Sequence, residues 1–377
     1  MFERQSGGTA AILVGLDLGR QGYEESLDEL KLLASSAGID ARVVVRGRRE
    51  RPHPSTFAGR GKVEEIRQAL EQFGARLVVF NHELSAGQER NLERSLGCRV
   101  IDRTSLILEL FARRAKSHEG KLQVELAQLE YAATRLVRGW THLERQRGGI
   151  GLRGGPGETQ IEVDRRLIAR RVKTLKDKLV KFRRQRDVQR RSRSRGRVTS
   201  VSLVGYTNAG KSTLFNCLTK AGVLSADKLF ATLDTTTRRV YLPGAGAVVL
   251  SDTVGFIRDL PHSLVAAFRA TLEETVQADL LLHVVDAASP TREQNIAEVN
   301  KVLEEIGAES VPQILVSNKI DLNGTAPGLE RDEYGKISRV RLSAKTGDGV
   351  ETLRQALVEA IASRHPSAIQ HAALHTA

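Results

Sequence analysis

The stretch Gly205-Tyr206-Thr207-Asn208-Ala209-Gly210-Lys211-Ser212 has the form G-x-x-x-x-G-K-[ST]. An apolar run, Val201-Ser202-Leu203-Val204, precedes it, and a helix-like stretch, Thr213–Leu218, follows. Strand, glycine-rich turn and helix in that order predict a phosphate-binding loop. Its backbone N–H groups curl around a polyphosphate at a helix N-terminus. In such a loop Lys211 reaches the β- and γ-phosphates, and the Ser212 hydroxyl is a Mg²⁺ ligand. This motif alone leaves the base open.

Asn318-Lys319-Ile320-Asp321 follows a second apolar run, Ile314–Val316, and speaks to the base. A carboxylate at Asp321 can accept from both N1–H and the 2-amino group of guanine. Adenine offers neither donor and would leave the carboxylate unpaired, at a cost of about 1–3 kcal/mol. Asn318 and Lys319 are expected to brace the loop and cover the base. Ser343-Ala344-Lys345 comes one strand later, where backbone N–H groups can meet the guanine O6. Between the two motifs, Asp252-Thr253-Val254-Gly255 ends the run Ala247–Leu250. Asp252 is the expected outer-sphere Mg²⁺ partner, and the Gly255 N–H is placed to sense a γ-phosphate. Phe230-Ala231-Thr232-Leu233-Asp234 lies in a loop between helix and strand. Thr232 is the expected hydroxyl closing over Mg²⁺, with Thr235, Thr236 and Thr237 as nearby competitors. Five elements in this order predict a GTP-hydrolysing switch with Lys211, Thr232 and Gly255 in its catalytic set.

The position after Gly255 holds Phe256, where many such enzymes carry a glutamine that orients the attacking water. A phenyl ring cannot do this by hydrogen bonding, so slow intrinsic hydrolysis that needs a stimulating partner is expected. Asn208 either ligates a monovalent cation, K⁺, near the phosphates or caps its own loop.

A chain of 377 residues has room for two or three domains. Aromatic residues make up 4%, too few for base-stacking platforms. Cys98 and Cys217 lack metal or disulfide spacing and read as buried thiols. No signal-peptide pattern or long apolar stretch occurs, which predicts a soluble cytoplasmic chain, in part membrane-associated if its basic element meets lipid; a monomer is expected. Net charge is +13, and Arg165 to Arg197 alone carries sixteen Lys/Arg against two acids. One local basic element therefore dominates. A polyanion is the leading partner for it, with an anionic membrane surface as the alternative.

Residues 1–8 read as disordered. From residue 9 to 115 apolar strands alternate with amphipathic helices: strands at 10–16, 41–45, 76–80 and 98–101, helices at 24–36, 61–73, 86–96 and 104–115. This is the pattern of a small parallel α/β subdomain. Leu27, Leu30, Leu32 and Leu33 form the apolar side of the first helix. Gly59-Arg60-Gly61-Lys62 is either an anion site or a plain loop-to-helix junction. In residues 116–196, Leu122, Leu126, Leu129, Ala133 and Leu136 share a 4-3-4-3 spacing with Ile168, Val172, Leu175, Leu179 and Phe182. Two such seams predict an antiparallel coiled-coil hairpin. The glycine-rich segment Gly148–Glu158, with Arg153, falls at its tip, and the basic run lies on its second arm. Residues 197–364 read as a doubly wound, Ras-like GTPase domain. Residues 365–377 read as a flexible tail whose His365, His371 and His375 are solvated.

Segments outside the nucleotide motifs carry a more specific resemblance. They are Phe57–Ile66, Arg99–Thr104, His118–Gln128, Gly148–Arg166 and Phe230–Arg238. Through them residues 9–364 resemble the HflX family of ribosome-associated GTPases. The resemblance implies an N-terminal α/β subdomain with a helical hairpin ahead of a GTPase domain. It also implies Mg²⁺-dependent GTP hydrolysis stimulated by the 50S subunit, in rescue or splitting of stalled ribosomes or in ribosome assembly. The nucleotide motifs carry over at the positions named above, with Ser212 and Thr232 as Mg²⁺ ligands. Some members carry a larger domain after the GTPase domain, with no counterpart in this sequence.

Overall fold

Alternating apolar runs and amphipathic stretches build the first half of the chain. The computed structural model describes residues 9–19, 22–138, 156–195, 198–219, 229–230, 232–258, 264 and 269–363. The chain divides into two compact units, Met1–Arg113 with Lys121–Lys178, and Arg114–Gly120 with Leu179–Ala377.

In the first unit, strands β1 (Thr9–Asp17), β2 (Ile39–Arg48), β3 (Leu77–Phe80) and β4 (Arg99–Asp102) form a parallel sheet of order β2-β1-β3-β4. Helices α1 (Tyr23–Ser36), α2 (Arg60–Phe73), α3 (Ala86–Leu96) and α4 (Arg103–Arg114) alternate with them. Ile12, Leu13 and Val14 of β1 have no exposed surface, as expected of a central parallel strand covered on both faces. Val63, Ile66 and Leu70 of α2 repeat at helical spacing and are buried; each such side chain contributes about 1.5–3 kcal/mol. Ser85 opens α3 with a reciprocal capping box to Gln88, and Gly97 closes it in the left-handed conformation. One detail of the sequence reading fails: Leu27, Leu30 and Leu33 are buried, but Leu32 is half exposed. At 100° per residue, position 32 falls on the opposite face from 30.

Helix α5 (His118–Arg138) begins in the second unit and continues in the first. Its burial is wider than a narrow seam, for Gln123, Val124 and Ala127 are buried beside Leu122 and Leu126. The cause lies at the end of β4. Buried Asp102 accepts from the Tyr131 hydroxyl at 2.7 Å and from Arg135 at 2.6 Å, and Arg135 also pairs with Glu89. α5 is thus fastened to the α/β layer as well as to α6 (Pro156–Arg195). Ion pairs Glu125–Arg171 and Glu130–Lys176 join α5 and α6, and His118 meets Phe182 edge-on. Pro156 stands first in α6, where its missing N–H costs nothing. Glu158, expected within the glycine-rich tip, falls inside α6. Residues 139–155, including Arg153, lie outside the described residues, as do 1–8 and the tail from 364.

The second unit contains a seven-stranded sheet of order β10-β11-β9-β8-β5-β7-β6. Its strands are β5 (Thr199–Val204), β6 (Thr236–Leu242), β7 (Gly246–Asp252), β8 (Leu280–Asp286), β9 (Gln313–Asn318), β10 (Gly328–Arg331) and β11 (Ile337–Arg341). β5 lies between β7 and β8, parallel to both, and only the outer pairs β6/β7 and β10/β11 run antiparallel. Helices α7 (Lys211–Thr219), α8 (Arg269–Val276), α9 (Arg292–Ile306) and α10 (Val350–Ala362) accompany them. Leu203, Leu214, Phe215, Leu282, Val316, Leu342 and Leu357 share one core. Cys98 and Cys217 are free thiols, half-buried where full burial was expected; burial raises the Cys98 pKa to about 11. Among the described residues no helix is long and apolar enough to cross a membrane.

Candidate nucleotide site of the second unit

The loop 205–212 leaves β5 and enters α7. Its glycines are required by contact. A Cβ on Gly205 (φ 147°) would stand 2.2 Å from the Val284 carbonyl, and one on Gly210 (φ 94°) 2.2 Å from Asn318 Nδ2. Asn208 also takes a positive φ of 60°; its exposed side chain makes no hydrogen bond among the described residues. Lys211 is 5% exposed, and its Nζ donates to the carbonyls of Gly205 at 3.0 Å and Tyr206 at 2.8 Å. Burial brings its pKa down to about 8, partly opposed by Asp252.

Three oxygens from three separated segments meet beside Lys211. Ser212 Oγ lies 2.7 Å from Thr232 Oγ1 and donates to Asp252 Oδ2 at 2.7 Å. Thr232 Oγ1 donates to the same Oδ2 at 2.9 Å. Asp252 is fully buried. Burial raises its pKa, against hydrogen bonds from Ser212 and Thr232 and the Lys211 charge. Its other oxygen, Oδ1, is buried with no partner among the described residues. An orphaned carboxylate oxygen beside two hydroxyls is a donor set that suits a hard divalent cation such as Mg²⁺. Of the competing threonines, Thr237 faces Ser251 across the β6/β7 pair at 3.3 Å, away from this cluster.

After Asp252, Thr253 donates to the Leu203 carbonyl at 2.6 Å and Val254 is buried. The main chain then pairs with the phosphate loop. Thr207 N donates to Phe256 O at 2.7 Å, and Phe256 N to Gly205 O at 3.1 Å. A Cβ on Gly255 would approach Thr207 to 2.9 Å and Lys211 Nζ to 3.0 Å, so no side chain fits there. The Phe256 ring is 1% exposed. It belongs to the core and offers nothing to a water. Tyr206 adds a link absent from the sequence reading: its hydroxyl accepts from Arg258 N at 2.7 Å.

Asn318 is a cross-brace. Its Nδ2 donates to Ala209 O, and its Oδ1 accepts from Ala344 N, both at 2.9 Å. Of the Ser343–Lys345 N–H groups expected to meet guanine O6, that of Ala344 donates to Asn318 here. Lys319 takes φ 65° and pairs with Asp286 at 2.8 Å, a partner that no sequence motif marks. Ile320 is buried, whereas Asp321 is exposed with no hydrogen bond among the described residues, as a base-reading carboxylate requires. Ser343 is buried and its Oγ accepts from Thr346 N at 3.2 Å, while Lys345 is exposed beside it.

The switch segment departs from expectation in one respect. Phe230 and Leu233 are buried, and Ala231 lies outside the described residues. Asp234, expected among the nucleotide-binding residues, turns its carboxylate to Lys116 and Ser117 instead, accepting from both backbone N–H groups at 2.8 Å. In the first unit, Gly59–Lys62 opens α2 at the rim of a cleft of about 650 Å³ that Arg48, Arg49 and Arg51 also line. Lys62 there is already held by Arg46 O and Glu65, each at 2.6 Å.

Comparison with known proteins agrees with this geometry. Residues 24–112 match the family model for the GTP-binding GTPase N-terminal region, 114–193 that for the GTP-binding GTPase middle region, and 200–319 that for 50S ribosome-binding GTPases. The chain is 58% identical over 360 residues to GTPase HflX of Escherichia coli K12, covering 95% of this chain and 84% of that one. It is 52% identical to GTPase HflX of Magnetococcus marinus, covering 91% and 79%. Among solved structures, the complex of SsGBP and GDP aligns over 94% of this chain and 99% of its own, at 25% identity and a TM-score of 0.53. With this identity over nearly its whole length, the chain belongs to the HflX family of GTPases.

Proposed function

We propose that this protein hydrolyses GTP to GDP and phosphate with Mg²⁺, slowly alone and faster on the 50S ribosomal subunit. The observation that carries the reading is the meeting of Ser212, Thr232 and Asp252 beside Lys211, with one buried Asp252 oxygen left over. Ser212 and Thr232 would hold the metal directly, and Asp252 through its outer sphere. Bound there, Mg²⁺ would neutralise charge developing on the phosphate oxygens. Lys211 leaves the carbonyls of Gly205 and Tyr206 for the phosphates. The loop N–H groups receive the polyphosphate at the start of α7. Asp321 accepts from guanine, and Asn318 fixes the distance between phosphate loop and base loop. Gly255 brings its N–H towards the γ-phosphate. No group at position 256 orients the attacking water, so the hydrolytic site is completed from outside. The free Asn208 side chain favours a K⁺ ligand over a loop cap, which exchange of K⁺ for Na⁺ in the assay tests.

The ribosomal partner is supported by the family model over residues 200–319 and by charge on α6. Arg165, Arg166, Arg170, Lys173, Lys178, Lys181 and Arg184 are exposed with no carboxylate partner among the described residues. Solvated helix faces ordinarily mix signs; this one presents a stripe suited to RNA phosphates. The task on the ribosome is rescue or splitting of stalled particles, or assembly of the subunit. GTP turnover in K⁺ buffer, alone and with 30S, 50S or 70S particles, tests the reading. Strong stimulation by 50S and 70S is expected. Equal rates with and without particles would overturn the ribosomal half and send the search for a trigger to proteins or membranes.

A further inference from the structure

The bonds that Asp234 makes set it apart from the nucleotide motifs. One carboxylate collects three donors from a segment more than a hundred residues earlier: Lys116 N and Ser117 N on Oδ2, each at 2.8 Å, and the Ser117 hydroxyl on Oδ1 at 2.5 Å. Ser117 in turn caps α5, its Oγ accepting from Gly120 N at 2.8 Å. The carboxylate thus sits at the positive end of a long helix, in the position that favours an anion. Gly120 supplies an independent sign that the contact is built in. A Cβ there would lie 2.1 Å from Asp234 Oδ1. Glycine in a first helical turn is otherwise a poor choice, about 1 kcal/mol worse than alanine in a helix. Two residues before Asp234 stands Thr232, whose hydroxyl reaches Ser212 and Asp252. Residues 232 to 234 are short enough for the position of one end to fix the other.

We infer that Asp234 is a positioning residue for Thr232. Anchored on Ser117 and the start of α5, it holds the switch segment where the Thr232 hydroxyl can close over the metal of a bound nucleoside triphosphate. A displacement of the start of α5 would be felt at Thr232, so a partner that grips this helix has a direct route to the hydrolytic site. The inference rests on the proposed role of Thr232.

The test compares the wild-type chain with S117A, D234N, G120A, the double variant S117A/D234N, T232A and K211A. Affinities for GDP and for a non-hydrolysable GTP analogue are measured with Mg²⁺, together with hydrogen exchange of the switch segment. If Asp234 only maintained the fold, both nucleotides would weaken together. Positioning instead predicts GDP affinity within about twofold of wild type and GTP-analogue affinity down roughly tenfold, the scale of one charge-assisted hydrogen bond. It also predicts faster exchange of the switch segment in the analogue complex. S117A/D234N should be no worse than D234N alone, because both changes break the same anchor. G120A is the most discriminating. It adds a better helix former, and the short Asp234 side chain can yield only by leaving its donors. Analogue-specific loss in G120A with GDP affinity kept is expected, although its Cβ also comes to 3.0 Å from Ser117 Oγ and can cost part of the helix cap. Additive losses in the double variant, or unchanged analogue binding in G120A and D234N, would overturn the anchor. If T232A bound both nucleotides normally while K211A lost both, the role of Thr232 would have failed.

Discussion

Removing Asn318 should separate a bracing role from a merely base-covering one. The side chain is 2% exposed and joins Ala209 O to Ala344 N. Both backbone partners are themselves buried. Asn318→Ala strips each of its hydrogen bond, and a buried unsatisfied group costs about 1–3 kcal/mol. Two groups give about 2–6 kcal/mol, and admission of a water would bring the loss to the lower half of that range, about 3 kcal/mol. Asn318→Asp separates the two bonds. It keeps an acceptor for Ala344 N, but it replaces the donor facing the Ala209 carbonyl with a carboxylate oxygen. Asp should therefore be no better tolerated than Ala, although it is closer in shape. Urea unfolding of the nucleotide-free protein, followed by circular dichroism, gives the stability of the second unit. GDP affinity should fall at least tenfold in both variants, because phosphate and base loops lose their common spacer. A loss below about 0.5 kcal/mol in Asn318→Ala, with Asp tolerated better than Ala, would refute the cross-brace.

Asp321→Asn should shift preference from guanine towards xanthine nucleotides, since an amide can donate where the carboxylate accepts; competition binding with XDP and GDP would show it, and unchanged GDP preference would contradict the base assignment. His283 in β8 is buried with Nε2 unpartnered, and burial brings its pKa down to about 4. A histidine held neutral by the fold contributes stability above its unfolded pKa of 6.5, and that contribution is lost as pH falls from 6.5 through 4. At about 1.4 kcal/mol per unit, acid should cost roughly 3 kcal/mol between those limits. His283→Gln should flatten that part of the stability profile in a pH series of urea melts. On α6, replacing Arg165, Arg166, Arg170 and Lys173 by Gln should weaken 50S co-sedimentation. It should also reduce the slope of log affinity against log salt by about 0.7–0.9 for each RNA phosphate that is no longer neutralised.

What could be read from the sequence is what acts locally. The phosphate loop works through glycines and a lysine within eight residues, and the base motif through four, so type and spacing suffice. The strands and helices of the first unit follow from apolar period, and most lie within one to three residues of expectation. The misses are polar contacts between distant segments. Asn318 was expected to brace its loop, but nothing in the sequence names Ala209 and Ala344 as the groups it joins, and the width of burial on α5 depends on Asp102 reaching Tyr131 and Arg135. Gly120 shows why such contacts nevertheless leave a trace. By local propensity it is a weak residue in the first turn of a good helix, and that conflict disappears once the Asp234 carboxylate stands where a methyl group would be. Asp234 read alone is an acidic residue in a nucleotide-facing loop, which is why it was expected at the nucleotide. Each position breaks a local expectation for the sake of the other. Such paired violations mark positions whose residue type is set by a distant partner and not by the local run of sequence.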